Sequence, residues 1–270
     1  MRRIDNLMSP YKPDSEVSRI NQHAALAPVK VSEELFQLIQ RANEFSKLSE
    51  GAFDITFASI GYRYDYRQHK KPSDQQIRDA LSQDLIDYRN LILKNDSVQF
   101  AREGMKIDLG GIAKGYAVDQ GINILKGCGI QHAIVTAGGD SRILGDRMGR
   151  NWMMGIQHPR QQAKIALTIP LSNTAISTSG DYERFFLEKN ERIHHIINVK
   201  TGKSAKHSWS ASVIGPEATA TDALSTTVFI LGAQRGLQLI NSLDDYDAIV
   251  IDSKGVVHYS SGLQEPGSTG

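Results

Sequence analysis

The chain has 270 residues, 40% of them hydrophobic, which is enough for one large domain or two small subdomains around a packed core. Lys plus Arg number 31 and Asp plus Glu 30, a formal net charge of +1; with no basic stripe beyond the short run at residues 67–71, read as a solvated loop, nucleic acid is excluded as a main partner. A single cysteine, Cys128, excludes an internal disulfide framework and any thiolate-rich metal site, and is expected to be a buried bystander.

The chain begins Met1-Arg2-Arg3-Ile4-Asp5-Asn6. Asp5 and Asn6 interrupt any apolar run, so as written it shows no signal peptide, lipobox or transmembrane segment, and a cytoplasmic location is expected. Residues 8–21, MSPYKPDSEVSRIN, predict a loop leading into a short helical turn near Ser15, with Tyr11 placed either to stack on a planar ligand or to cover the loop. From Ser32, a good N-cap, apolar residues at Leu35, Leu38, Ile39, Ala42, Phe45 and Leu48 predict an amphipathic core helix that stops at Gly51. In GAFDITFASIGY (51–62), Asp54 lies among aromatic and β-branched neighbours and must be exposed or paired. Ser73 and Gln76 form a capping box for a helix over 73–83. Residues 91–100 predict a hairpin turning at Asn95-Asp96-Ser97.

The centre of the chain is KIDLGGIAKGYAVDQ (106–120). Alternation of Ile107 and Leu109 with Asp108 predicts a strand, Gly110-Gly111 a tight turn, and Ala117, Val118, Gly121, Ile122 and Leu125 a helix. Free N–H groups at that helix start favour an anion, and a phosphorylated ligand is the natural expectation, although neither GxxxxGK[ST] nor GxGxxG is present and a glycine pair there also serves as a plain turn.

Beyond it, 133–136 predicts a buried strand running into a second glycine pair, Ala137-Gly138-Gly139-Asp140. Further strands are predicted at 152–156, at 165–169 and at 174–181, where TAISTSGD offers hydroxyls either to a phosphate or to a turn. In IHHIINVKTG (193–202), strand alternation sends His194 and His195 to opposite faces, one inward and one outward; an inward histidine is either a satisfied core residue or a proton-transfer group. EATATDALSTTVFIL (217–231) predicts a helix with Asp222 and Thr226 at i and i+4 on one face, either a hard-oxygen pair suited to Mg²⁺ or partners in a hydrogen bond. A helix over 234–243, a hairpin over 248–259 turning at Ser253-Lys254-Gly255, and a frayed tail over 261–270 complete the reading.

Taken together, MSPYKPDSEVSRIN, GAFDITF, KIDLGGIAKGYAVD, AGGDSRILG, ISTSGDYERFF, HHIINVKTGKSA and TDALSTTVFILG resemble, in order and spacing over nearly the whole chain, the FAD:protein FMN transferase (ApbE-like) family. The resemblance implies an α+β fold of two interleaved subdomains with mixed or antiparallel sheets and packed helices, residues 1–270 forming a single flavin transferase domain with the ligand cleft between the subdomains. It implies Mg²⁺-dependent cleavage of the FAD pyrophosphate, with FMN moved to a Thr or Ser hydroxyl of an acceptor protein and AMP released. The acceptor it implies is a flavoprotein subunit of a membrane redox complex, such as an NADH:quinone reductase.

Carried over by motif, Tyr11, Ala52, Phe53, Asp54, Asp108, Lys114 and the main chain of Ile196 match FAD contacts. The Gly111 carbonyl, Asp222 and Thr226 match magnesium ligands, and His195 matches the general base. Two departures stand out. Asn198-Val199 replaces the family's usual Asp-Pro, removing a carboxylate and a rigid turn beside His195. The family's usual N-terminal signal and first strand are also missing. The family is typically periplasmic and anchored to the inner membrane, so either the gene start lies upstream, or the chain was trimmed, or this member works in the cytoplasm; membrane association would need an upstream lipoprotein signal. An FAD pyrophosphatase and a non-catalytic FAD-binding protein are the alternatives.

Overall fold

The computed structural model describes residues 1–264. In chain order the elements are α1 (Arg2–Met8), α2 (Glu16–His23), β1 (Val29–Lys30), α3 (Glu33–Leu48), α4 (Ala58–Gly61), α5 (Asp74–Ser82), β2 (Leu91–Lys94), β3 (Ser97–Phe100) and α6 (Ala113–Gly127). Strands β4 (Ala133–Ala137), β5 (Asp140–Leu144), β6 (Trp152–Gln157), β7 (Ile165–Leu171) and β8 (Ala175–Gly180) follow. After them come β9 (Phe185–Glu188), β10 (Glu191–His194), β11 (Ile197–Asn198), β12 (Lys203–Ser204), β13 (Ser208–Gly215), α7 (Ala218–Ile240), β14 (Asp247–Asp252) and β15 (Val257–Tyr259). The helices and antiparallel sheets make this an α+β chain. It divides into two compact units, each built from two stretches: residues 1–113 with 184–204, and 114–183 with 205–270. Among the described residues no helix is long and apolar enough to cross a membrane.

In the first unit, Ser32 caps α3 by accepting from the Leu35 N–H (3.3 Å), and Leu35, Leu38, Ile39, Ala42 and Phe45 are buried along one stripe. Leu48 ends the predicted stripe but is exposed, because it lies in the last turn before the chain leaves the helix. The Ser73–Gln76 capping box forms on α5. The hairpin β2–β3 turns through Asn95 and Asp96, both at positive φ (50° and 55°) as a two-residue turn between right-twisted strands requires. β1 adds to it in the order β1-β3-β2.

The central stretch differs from expectation. Residues 106–109 pair with no neighbouring strand, although Ile107 and Leu109 are buried and Lys106 exposed as alternation requires. A side chain replaces the ladder: Asn21 donates Nδ2–H to the Ile107 carbonyl (2.9 Å) and accepts the Ile107 N–H on Oδ1 (2.7 Å), while the Asp108 N–H donates to the Ile55 carbonyl (3.0 Å).

In the second unit, six antiparallel strands run in the order β15-β14-β13-β8-β5-β4. Helix α7 packs against β13, β8 and β14. Ile143, Ile156, Leu171, Ile176, Ile214 and Ile249 make a core with Trp152, Met154, Leu167 and Ile169 of the β6–β7 ladder. β4 is half-exposed rather than buried, being the edge strand of that sheet. α7 is buried nearly all round, as an interior helix must be, and breaks at Gly232 (φ 76°), so the two helices predicted over 217–231 and 234–243 are consecutive segments meeting at that residue. Cys128 is exposed, not buried; it follows the last residue of α6, beyond the apolar stripe of Val118 and Ile122. Ser261–Leu263 forms a 3-10 turn, and the remainder of the predicted frayed tail, 265–270, lies outside the described residues.

Candidate functional site

The predicted site residues fall into both units, and each unit gathers its own set. In the first, Ala52, Phe53 and Asp54 are all buried. Asp54 accepts from the Thr56 N–H (2.8 Å) and hydroxyl (2.6 Å) on one oxygen and from the Tyr88 N–H (2.8 Å) on the other. Burial pushes its carboxyl up to about 6, against the pull of those three donors, so it is the paired carboxylate the sequence required.

Asp108 closes the turn after it by accepting the Gly110 N–H at 2.7 Å. Burial raises its pKa, while Gly110, the Tyr62 hydroxyl and the positive charge of Arg184 lower it. Tyr62 donates to the Ile107 carbonyl (2.9 Å), and burial together with Asp108 holds its phenol firmly protonated. Tyr11, largely exposed, lies near enough to both Tyr62 and Tyr66 to be felt electrostatically. Tyr66 donates to the His194 carbonyl (3.4 Å), and the His195 N–H donates to the Arg184 carbonyl (3.2 Å). Tyr11, Tyr62, Tyr66, Asp108, Arg184 and His195 therefore share one neighbourhood.

His194 is buried and His195 half-buried, but strand alternation is not the cause: β10 ends at His194, its neighbour Ile193 is buried as well, and His195 lies in the bend that follows. Ile196 is buried and gives its N–H to His194 Nδ1 (3.3 Å), which makes Nδ1 the acceptor and His194 a satisfied core histidine. Asn198 fills the place of the expected carboxylate and still closes the turn: its side chain accepts the Lys200 N–H (3.0 Å) and its carbonyl the N–H groups of Thr201 and Gly202. Gly111 sits half-buried in the turn before α6, and neither Gly110 nor Gly111 adopts positive φ.

In the second unit, the start of α6 meets α7. The Gly115 N–H is not free for a ligand, as the strand–glycine–helix pattern predicted, but donates to Asp222 Oδ2 (3.0 Å). Lys114 Nζ reaches Asp140 Oδ2 (2.6 Å) and Asp222 Oδ1 (3.2 Å). Both carboxylates are almost fully buried, while nearly half of the Lys114 side chain is exposed. One ammonium thus faces two buried carboxylates. Burial and the Asp222 charge raise the Asp140 pKa against the pull of Lys114, while for Lys114 the two carboxylates outweigh burial and raise it.

One turn along α7, Thr226 is the only residue of 221–230 that is not buried. Its hydroxyl pairs with Ser179 (3.1 Å), so the alternative of an Asp222–Thr226 bond gives way to separate partners. The β8 hydroxyls are spent on their neighbours: Ser177 on Thr221, Ser179 on Ser225 and Thr226, Thr178 on Ser212. Asp119 of α6 takes the Ala218 and Thr219 N–H groups (3.0 and 2.7 Å), replacing the cap that Glu217 does not supply.

Asn21, Tyr62, Arg184, Gly115, Asp119 and Asp140 were missed as site residues. A carboxylate on a glycine turn marked Asp140 in the sequence; Asn21 and Asp119, whose partners lie 86 and about 100 residues away, carried no local signal.

The ApbE family profile matches residues 1–250. This chain belongs to the ApbE family. A Haemophilus influenzae relative named FAD:protein FMN transferase is 30% identical over 98% of this chain and 80% of its own length. One of the same name from Treponema pallidum is 30% identical over 97% and 78%. Among solved structures, the ApbE protein of Thermotoga maritima superimposes with a TM-score of 0.89 at 34% identity, covering 97% of this chain and 87% of that one. The flavin transferase ApbE of Vibrio cholerae gives 0.84 at 26% identity, with 97% and 86% covered. The α+β fold is thus that of solved ApbE proteins, and the curated relatives of this ApbE chain are named as transferases.

Proposed function

We propose that this chain transfers FMN from FAD to a Thr or Ser hydroxyl of an acceptor flavoprotein, with Mg²⁺, releasing AMP. Flavin transfer from FAD to protein is supported by the names its ApbE relatives carry. The finer reading rests on one observation, the pair of buried carboxylates Asp140 and Asp222 facing a single lysine beside the half-buried Thr226 hydroxyl.

That donor set fits Mg²⁺. Its atoms are hard oxygens, and with both carboxylates ionised it carries one negative charge more than Lys114 balances. Among the described residues no group of three or more His, Cys, Asp or Glu side chains is arranged to hold a metal. Mg²⁺ takes one or two carboxylates and completes its shell with substrate phosphate and water. Asp222 and Thr226 would hold it. When bound, it would neutralise charge on the diphosphate.

The chain's own residues supply the rest. Tyr11 offers an exposed ring for a planar ligand, and Ala52, Phe53, Asp54, Asp108 and the main chain of Ile196 offer contacts to the dinucleotide. Lys114 brings a cation to the phosphates. His195 takes the proton of the acceptor hydroxyl as its oxygen bonds to the FMN phosphorus and the bond to AMP breaks, a role worth roughly 10² to 10⁴ in rate.

The test mixes the protein, FAD, Mg²⁺ and a candidate acceptor subunit, then follows flavin fluorescence on the denatured acceptor and free AMP. Covalent flavin with equimolar AMP is expected. FMN and AMP with an unlabelled acceptor would make it a pyrophosphatase, and neither product would make it an FAD-binding protein.

A further inference from the structure

Lys114 is held unequally by its two carboxylates. The contact to Asp140 is 2.6 Å and that to Asp222 is 3.2 Å, and Asp222 has already committed its other oxygen to the Gly115 N–H. The β4–β5 hairpin builds this asymmetry. Gly138, at φ 59°, leaves room for the lysine stem, since a Cβ there would stand 3.0 Å from Lys114 Cδ, and Asp140 follows two residues later at the start of β5.

We propose that Asp140 is a positioning residue that draws the Lys114 ammonium away from Asp222, keeping Asp222 Oδ1 available to a divalent cation. This rests on the reading of Asp222 as a cation ligand. Without the Asp140 charge, the ammonium has one carboxylate left and closes on Asp222, competing for the oxygen the cation needs. The interaction is strong because both acids are out of water, where two unit charges at such distances interact far more than at the surface.

The test is Mn²⁺ binding, read from the electron paramagnetic resonance of free Mn²⁺ at saturating FAD, with Asp222→Asn as the baseline. Asp140→Asn is isosteric and is expected to weaken Mn²⁺ binding about tenfold, a difference of about 1.4 kcal/mol. Adding Lys114→Met to Asp140→Asn removes the competitor and is expected to restore binding to within about threefold of wild type, about 0.7 kcal/mol. Unchanged binding in Asp140→Asn overturns the proposal, as does a double variant that stays weak, since a purely structural loss would not be repaired by removing the lysine. Wild type that binds no more Mn²⁺ than Asp222→Asn would instead overturn the cation reading itself.

Discussion

Gly115 gives its main-chain N–H to Asp222 Oδ2 across 3.0 Å, and the two helices meet so closely there that a Cβ on residue 115 would lie 2.1 Å from the Ala218 carbonyl oxygen. A backbone oxygen cannot step aside as a flexible side chain can. Gly115→Ala is therefore expected to cost about 1–3 kcal/mol in urea unfolding, the range for forced overpacking. Gly127→Ala, where a Cβ meets nothing within 4 Å, should be neutral or slightly stabilising.

Asp54 gives the fold a pH dependence. Its pKa rises from 3.8 unfolded to about 6 folded, so between those values the folded chain holds the proton more tightly. Its ionisation thus costs stability as pH rises from about 4 to about 6, and the cost is complete above that, at about 3 kcal/mol. Urea unfolding at pH 4 and pH 7 should show wild type losing roughly this much more than Asp54→Asn. Equal losses would mean the three donors hold the carboxylate at its ordinary value.

Tyr11 is 73% exposed, so Tyr11→Ala should leave stability within about 0.5 kcal/mol of wild type. If the ring stacks on the flavin or adenine, FAD affinity should fall by about fivefold or more, the worth of roughly 1 kcal/mol of stacking. Fluorescence titration with FAD reads this directly.

His195→Ala should slow transfer by about 10² or more while FAD still binds. A single-turnover rate equal to wild type would move the base elsewhere.

What the sequence disclosed follows the range of the interactions. Ser32 capping Leu35, the Ser73–Gln76 box and the Asn95-Asp96 turn are made within four residues, and each was legible. The stretch 106–109 misled because its alternation is real while its hydrogen-bond partners, Asn21 and Ile55, are distant. Cys128 misled because composition favours burial of cysteine, whereas its place past the end of α6 decides exposure. For the site, the resemblance named Lys114 and Asp222, but their mutual contact spans 108 residues and brings in Asp140 through a hairpin that no local pattern ties to α6.

The intact mass of an acceptor subunit after incubation with FAD and Mg²⁺, with wild type and Asp222→Ala side by side, decides whether this chain is a cation-dependent flavin transferase. One covalently attached FMN per acceptor is expected with wild type, and none when Mg²⁺ is left out of the incubation or when Asp222→Ala replaces wild type. A fully labelled acceptor from the Asp222→Ala protein would contradict this expectation.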